Sequence, residues 1–325
     1  MKELEIRPLD VFDEYLKLCT NDVVDFFSEL ELDSIDCPAC GAVGRDAFSK
    51  VGFNYQTCEE CQTLYVSPRP PSAAFERYYT QSPSVKFWAT TFYKVTELAR
   101  REKLWRPKAE LVCEKLSMLA SADVEVIDIG GGYGVFCEEL SSLTSVKTKV
   151  IEPSPDLAAV CRKKGLEVIQ KFLFQVDRQE LGDSAKFFVR FELFEHLHDP
   201  KVFLEQVYKL MDSGDAFLFT TLSGTGLDIQ VLWEDSKAVS PPHHLNFFNP
   251  YSVRLLLSRL GFAEIQVTTP GQLDINILQN NSGMIKDRFW ATVLKMCDDS
   301  MLLELQKSVA DAGCSSHMMV FCSKP

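Results

Sequence analysis

Three features are scarce in this chain of 325 residues, and each scarcity excludes a class of protein. Long apolar runs are missing. No stretch approaches the roughly 18 residues that a membrane-crossing helix needs, and Met1 to Asp10 is charged with no apolar run behind it, so neither a membrane partner nor a targeting signal is expected. Dense Lys/Arg clusters are also missing. With a net charge of −12 the chain is repelled by phosphate backbones, so nucleic acid is not an expected partner. Histidine is rare, at five residues, so each one can be weighed. Internal repeats and low-complexity tracts are absent too, while the 46% apolar and 25% charged content is that of an ordinary globular protein.

Cysteine is present, but not as a disulfide framework: there are eleven, an odd number. Seven of them (Cys19, Cys113, Cys137, Cys161, Cys297, Cys314, Cys322) are scattered, mostly in apolar company, as expected of buried thiols in a reducing, cytoplasmic setting. The other four form Cys37-Pro38-Ala39-Cys40 and Cys58-Glu59-Glu60-Cys61, 17 residues apart. That spacing is a zinc spacing. Two such turns direct four thiolates at one ion and leave no open position, so the expected zinc is structural. The competing reading is two unrelated redox or buried pairs.

The pattern along the chain divides it into four segments: an acidic helical stretch, 1–36; the cysteine module, 37–71, ending in the proline-rich break Ser67 to Pro71; an aromatic-rich helical connector or lid, 72–120; and an alternating strand–helix region, 121–325. In the last, strands are expected near 124–128, 146–151, 166–169, 186–191, 216–221, 263–267 and 318–322, with helices between. Asp199-Pro200 and Asn249-Pro250 are helix-opening pairs, and Gly165 and Gly261 follow helix ends. Strands separated by helices of this length imply an α/β fold with a parallel sheet covered on both faces.

Directly between the first strand and its helix stands Asp128-Ile129-Gly130-Gly131-Gly132-Tyr133-Gly134. Glycines let the backbone turn sharply and come close to a ligand. A dinucleotide fingerprint requires a glycine at position 135, which is valine, so a nicotinamide-dependent dehydrogenase is disfavoured. The pattern is D-x-G-x-G-x-G, which suits a ligand without a phosphate. Glu152 ends the second strand, where a carboxylate can accept both hydroxyls of a ribose.

These residues resemble class I S-adenosylmethionine-dependent methyltransferases, whose fold is a Rossmann-like seven-stranded sheet. The resemblance runs from about Trp105 to the end. It implies S-adenosylmethionine as cofactor, held by Asp128, Gly130, Gly132, Gly134 and Glu152. The segment Glu192-Leu193-Phe194-Glu195-His196 to Asp199-Pro200 is similar to the family's E-x-x-E-H-x-x-D-P stretch beside the transferring methyl group. The end of the third strand, Ile169-Gln170-Lys171, lacks the acidic residue that often meets adenine. The cysteine module and its proline break resemble the zinc-binding lead module of some bacterial sugar methyltransferases. In those sugar C-methyltransferases a string similar to Pro242-His243-His244-Leu245 carries a general base at its second histidine, which is His244 here; the first position is usually glutamate and is His243 here. A tyrosine after the zinc module lines their sugar site, which points to Tyr79, with Tyr78 as the alternative. Glu192 is the reserve base. His196 and His317 are expected to be packing residues.

The resulting expectation is methyl transfer to a small molecule, a nucleotide-linked sugar above all, at carbon or oxygen. The alternatives are a small-molecule or lipid O-methyltransferase and a scaffold protein that keeps the cofactor fold without turnover. Oligomeric state is not legible in the sequence.

Overall fold

The computed structural model describes residues 1–117, 119 and 123–325, so the expected boundary between 120 and 121 lies outside the described residues. Strands β1 (Gly44–Lys50), β2 (Phe53–Cys58) and β3 (Leu64–Val66) build a small antiparallel sheet over the cysteine segment. The main sheet contains β4 (Val124–Ile129), β5 (Lys147–Ile151), β6 (Glu167–Ile169), β7 (Ala185–Arg190) and β8 (Ala216–Leu222). The two-residue β9 (Asn246–Phe247) joins the small sheet, and β10 (Ala263–Thr268) and β11 (His317–Ser323) complete the large one.

The main sheet runs β10-β11-β8-β7-β4-β5-β6. Every neighbouring pair from β6 to β8 is parallel, whereas β11 runs antiparallel to both β8 and β10. The all-parallel sheet expected from the strand–helix alternation is therefore modified at one edge. A strand formed by the last residues after helical segments can enter reversed without a right-handed crossover. Because β5 follows β4 on one side and β7 lies on the other, a crevice opens at the carboxyl ends of β4 and β7, where ligands of open α/β sheets bind.

All seven residues of β8 and all six of β4, Glu125 and Asp128 among them, are buried, as strands should be when helices cover both faces. Asn249 caps the helix Pro250–Arg259 by accepting from the amides of Tyr251 (3.0 Å) and Ser252 (2.9 Å), and Asp199 caps Pro200–Leu210 from Val202 (3.0 Å). The region after β10, which carries little period-specific signal, folds into helices at Asp274–Asn280, Arg288–Met296 and Asp299–Asp311.

The cysteine module does not stand apart. Cys37, Cys58 and Cys61 share one buried core with Phe217, Phe248 and Val253. β3 pairs with β9, so a strand from the 121–325 segment closes the small sheet. Buried Arg69 ties the two parts together through the carbonyls of Val66 (3.1 Å) and His198 (2.6 Å) and through Asn246 Oδ1 (3.1 Å).

Candidate active site

The glycine loop leaves β4 at the crevice. Gly130, Gly132 and Gly134 have φ of +64°, +57° and +69°, a region L side chains rarely adopt. Gly131, which the D-x-G-x-G-x-G pattern treats as variable, is constrained differently: a Cβ there would meet Asp128 Oδ2 at 2.6 Å and Val150 Cγ1 at 2.8 Å. Around Gly132 a Cβ would meet nothing within 4 Å, so the loop's middle borders open space. Glu152 is held beside it. Its two oxygens accept the amides of Gly132 and Ser154, both at 2.9 Å, which orients the carboxylate toward the loop. Burial pushes Asp128 up to about 6, against the opposing pull of the nearby Arg190 charge. Tyr133 stacks on Tyr93 with centroids 4.5 Å apart and donates to the Ala89 carbonyl (2.7 Å), pinning the helical connector over the loop.

On the far side of the same crevice, the segment after β7 meets the segment after β8. Glu195, His196 and His244 bring one ligand atom each within 4.8 Å of one another, close enough to hold a cation as well as to pass a proton. His244 Nδ1 lies 2.5 Å from the Ala238 carbonyl. A carbonyl only accepts, so Nδ1 donates and the lone pair of the neutral ring is on Nε2. Burial holds His244 down at about 4. His243 differs: it is sealed in, its Nε2 sits 2.5 Å from the Tyr78 hydroxyl, and burial holds it at about 3. Tyr79 keeps some surface in the crevice, with its hydroxyl 3.5 Å from His196 Nδ1. Burial alone would raise Glu192, but Lys108 at 3.0 Å, His317 and the Thr220 hydroxyl at 2.7 Å hold its carboxyl well below the usual range. Glu195, buried beside the charge of Glu192, is pushed up to about 8.

The family described as a methyltransferase domain matches residues 98–267, just over half of the chain. The chain belongs to the methyltransferase domain family. It is an S-adenosylmethionine-dependent methyltransferase. Solved structures share its fold at low identity. The plantazolicin methyltransferase BpumL, solved with a desmethylplantazolicin analogue and S-adenosylhomocysteine, is 13% identical, with a TM-score of 0.50 over 77% of this chain and 93% of that one. A methyltransferase from Archaeoglobus fulgidus is 16% identical, with a TM-score of 0.43 over 67% of this chain and 94% of that one. A possible histamine N-methyltransferase from Thermotoga maritima is 16% identical, with a TM-score of 0.45 over 73% and 98%. No curated protein sequence matches.

In this methyltransferase, then, the glycine loop and Glu152 follow β4 and β5, Glu192 follows β7, and Tyr79 and His244 both meet His196, while His243 is buried against Tyr78. Three polar residues beside these side chains were given no role in the site from the sequence. Arg190, at the end of β7, donates to the Ile129 (2.5 Å) and Gly130 carbonyls under the glycine loop. Lys108 pairs with Glu192. His317, expected to be a packing residue, puts Nδ1 3.5 Å from Glu192 Oε1. Arg190 had a weak signal, a charged residue directly after the apolar run Phe187-Phe188-Val189; Lys108 on a polar helix had none.

Away from the crevice, the four module thiols face one another. Cys37 Sγ and Cys61 Sγ are 3.5 Å apart and Cys40 Sγ and Cys58 Sγ 3.3 Å, against the roughly 3.8 Å edge of a sulfur tetrahedron around zinc. Among the described residues no helix is long and apolar enough to cross a membrane.

Proposed function

We propose that this methyltransferase transfers a methyl group to a hydroxyl or activated carbon of a small molecule, a nucleotide-linked sugar being the acceptor the cysteine-module resemblance favours, with His244 as general base. The observation that carries the assignment is the hydrogen bond from His244 Nδ1 to the Ala238 carbonyl, which leaves Nε2 as a proton acceptor in the crevice.

The residues fit the cofactor: a left-handed glycine loop bordering open space, with an oriented carboxylate at its rim. When bound, S-adenosylmethionine supplies an electrophilic methyl group on a sulfonium. Asp128, Gly130, Gly132 and Gly134 shape its seat, and Glu152 accepts the ribose hydroxyls with lone pairs left after its two amide bonds. His244 Nε2 takes the acceptor's proton as the new bond to carbon or oxygen forms. Tyr79 borders the acceptor through His196, and His243 supports the ring cluster from behind through Tyr78. Glu192 is a poor base because Lys108 and His317 hold its negative charge in place. Cys37, Cys40, Cys58 and Cys61 hold a structural zinc in our reading.

His244→Ala tests the assignment. Turnover should fall by roughly 10²–10⁴ while affinity for S-adenosylhomocysteine stays near that of the wild type. Near-full turnover in this variant, together with loss in Glu192→Ala, would move the base to the segment after β7. A second metal ion per chain that disappears in His244→Ala would make His244 a ligand instead.

A further inference from the structure

Glu152 and the glycine loop offer partners to the ribose of a bound cofactor. The other end of S-adenosylmethionine is an amino acid, with a carboxylate and an ammonium a few bonds apart. Two side chains of opposite charge stand where β7 leaves the sheet. Asp128 pairs with Val189, so Arg190 and Glu192 emerge beside Ile129 and the glycine loop. Two residues of chain separate their α-carbons by at most about 7 Å.

Arg190 leans toward the loop. Its Nη1 donates to the Ile129 (2.5 Å) and Gly130 carbonyls. A Cβ added at Gly130 would lie 2.9 Å from Cζ and 3.2 Å from Nη2, so the guanidinium lies against the loop in the space that glycine leaves. Nε is sealed from solvent without a partner; Nη2 has no hydrogen bond among the described residues and is not sealed. Glu192 leans the other way, toward β8. Its amide donates to the Thr220 carbonyl (3.2 Å), while Lys108 (3.0 Å), the Thr220 hydroxyl (2.7 Å) and His317 (3.5 Å) all meet the same carboxylate oxygen, Oε1. Oε2 is left without a partner among the described residues, on a side chain that keeps 34% of its surface. The residue stands at φ +52°, a left-handed backbone that glutamate keeps only where its surroundings hold it. One guanidinium nitrogen and one carboxylate oxygen are thus open on either side of the strand end, each fixed through its other atoms.

We infer that Arg190 and Glu192 clamp the amino-acid end of the cofactor, Arg190 Nη2 donating to its carboxylate and Glu192 Oε2 accepting from its ammonium, so that the enzyme discriminates against a decarboxylated cofactor. Charge-assisted bonds of this kind are about twice as strong as neutral ones, and each of the two reads one end of a zwitterion. The inference rests on the cofactor seat proposed above and assigns its selectivity to two further residues.

Calorimetry of the full chain with three ligands tests it: S-adenosylhomocysteine, its decarboxylated analogue, which keeps the amine, and methylthioadenosine, which lacks both charged groups. The wild type should bind S-adenosylhomocysteine about tenfold or more tighter than the decarboxylated analogue, the scale of a lost charge-assisted contact. Arg190→Gln should abolish that preference by weakening S-adenosylhomocysteine alone, and Arg190→Lys should recover part of it. Glu192→Gln should weaken both amine-bearing ligands by about tenfold and leave methylthioadenosine unchanged. Equal binding of S-adenosylhomocysteine and the decarboxylated analogue by the wild type overturns the clamp without any variant. So does a variant in which methylthioadenosine weakens as much as S-adenosylhomocysteine, since the residue then only shapes the loop, and so does a Glu192→Gln variant that binds all three as the wild type does. Failure of the wild type to bind any of the three would instead sink the cofactor seat itself.

Discussion

A carboxylate that already accepts two backbone amides is a poised ligand and not a loose surface group. Glu152 is in that position, with Gly132 and Ser154 donating to its two oxygens. Glu152→Ala removes both the proposed ribose acceptor and the tie to the loop, so affinity for S-adenosylhomocysteine should drop by about tenfold to a hundredfold, the worth of one or two hydrogen bonds to a charged group. Gly132→Val should do the same by a different route, forcing a β-branched residue to φ +57°. Calorimetry on both checks this; unchanged affinity would remove these residues from the cofactor site. The proton-accepting role proposed for His244 has a pH signature of its own. Only the neutral ring accepts a proton, and burial holds the pKa at about 4, so the rate should stay insensitive to this group through neutral pH and fall as pH drops through about 4. A fall centred near 6 to 7, where an unburied histidine titrates, would contradict the enclosed geometry. Residues of this kind differ in how far sequence betrays them. The glycine loop and Glu152 are legible because adjacent elements position them at short, fixed spacing. The docking of the amino-terminal turn is not: Glu3 folds back on Asn276 and Asn280, a contact no local pattern encodes.

Between the elements, the small sheet does more than carry cysteines. β3 pairs with β9, the Val66 amide donates to the Leu245 carbonyl (2.9 Å), and the Tyr55 hydroxyl donates to the His244 carbonyl (2.8 Å). The knuckles are themselves docked, with Asn249 donating to the Cys61 carbonyl and Arg259 to the Cys40 carbonyl, both at 2.7 Å. The backbone that presents His244 is thus held from the module's side. If the proposed zinc organises the knuckles, purified reduced protein should carry one zinc per chain, lost in Cys58→Ser. Because such sites fold with their metal, chelation should raise amide exchange in 37–71 and also in 244–247, and should lower turnover while leaving S-adenosylhomocysteine affinity largely intact. Exchange confined to 37–71 with full turnover would reduce the module to an appendage. Strand and helix positions in the main sheet were legible from the sequence to within a residue or two, since each combines a buried run with a cap or a glycine stop. The reversed edge strand and the shared β3–β9 pairing were not, because direction and partner depend on contacts far apart in the sequence, such as Met318 with Thr221 and Leu64 with Phe247.

Over the whole molecule, the late helices are joined to the sheet by a buried carboxyl pair. Asp274 accepts from the Ser315 hydroxyl (2.5 Å), the Ser316 amide (2.7 Å) and Gln306 (2.9 Å), binding the helix Asp274–Asn280 to the approach to β11. Asp228, where the chain leaves β8, has both oxygens sealed from solvent without a well-formed hydrogen bond. Burial, and then the neighbouring Asp274, push Asp228 up to about 8. The folded protein therefore keeps a proton that the unfolded chain, with an ordinary aspartate near 3.9, releases. The sign follows directly. This contribution is fully present below about pH 4, declines as pH rises, and is lost as pH passes through about 8. Glu195, also pushed up to about 8, acts in the same direction. Asp228→Asn keeps the shape and abolishes the titration. Its melting temperature relative to wild type should accordingly rise steadily from pH 5 to pH 8, by several degrees in all, since one proton difference changes stability by about 1.4 kcal/mol per pH unit. Thermal melts of both proteins across that range decide the matter. A difference that does not change with pH would mean that the pair shares no trapped proton, and that Asp228 is satisfied in solution by a partner of its own.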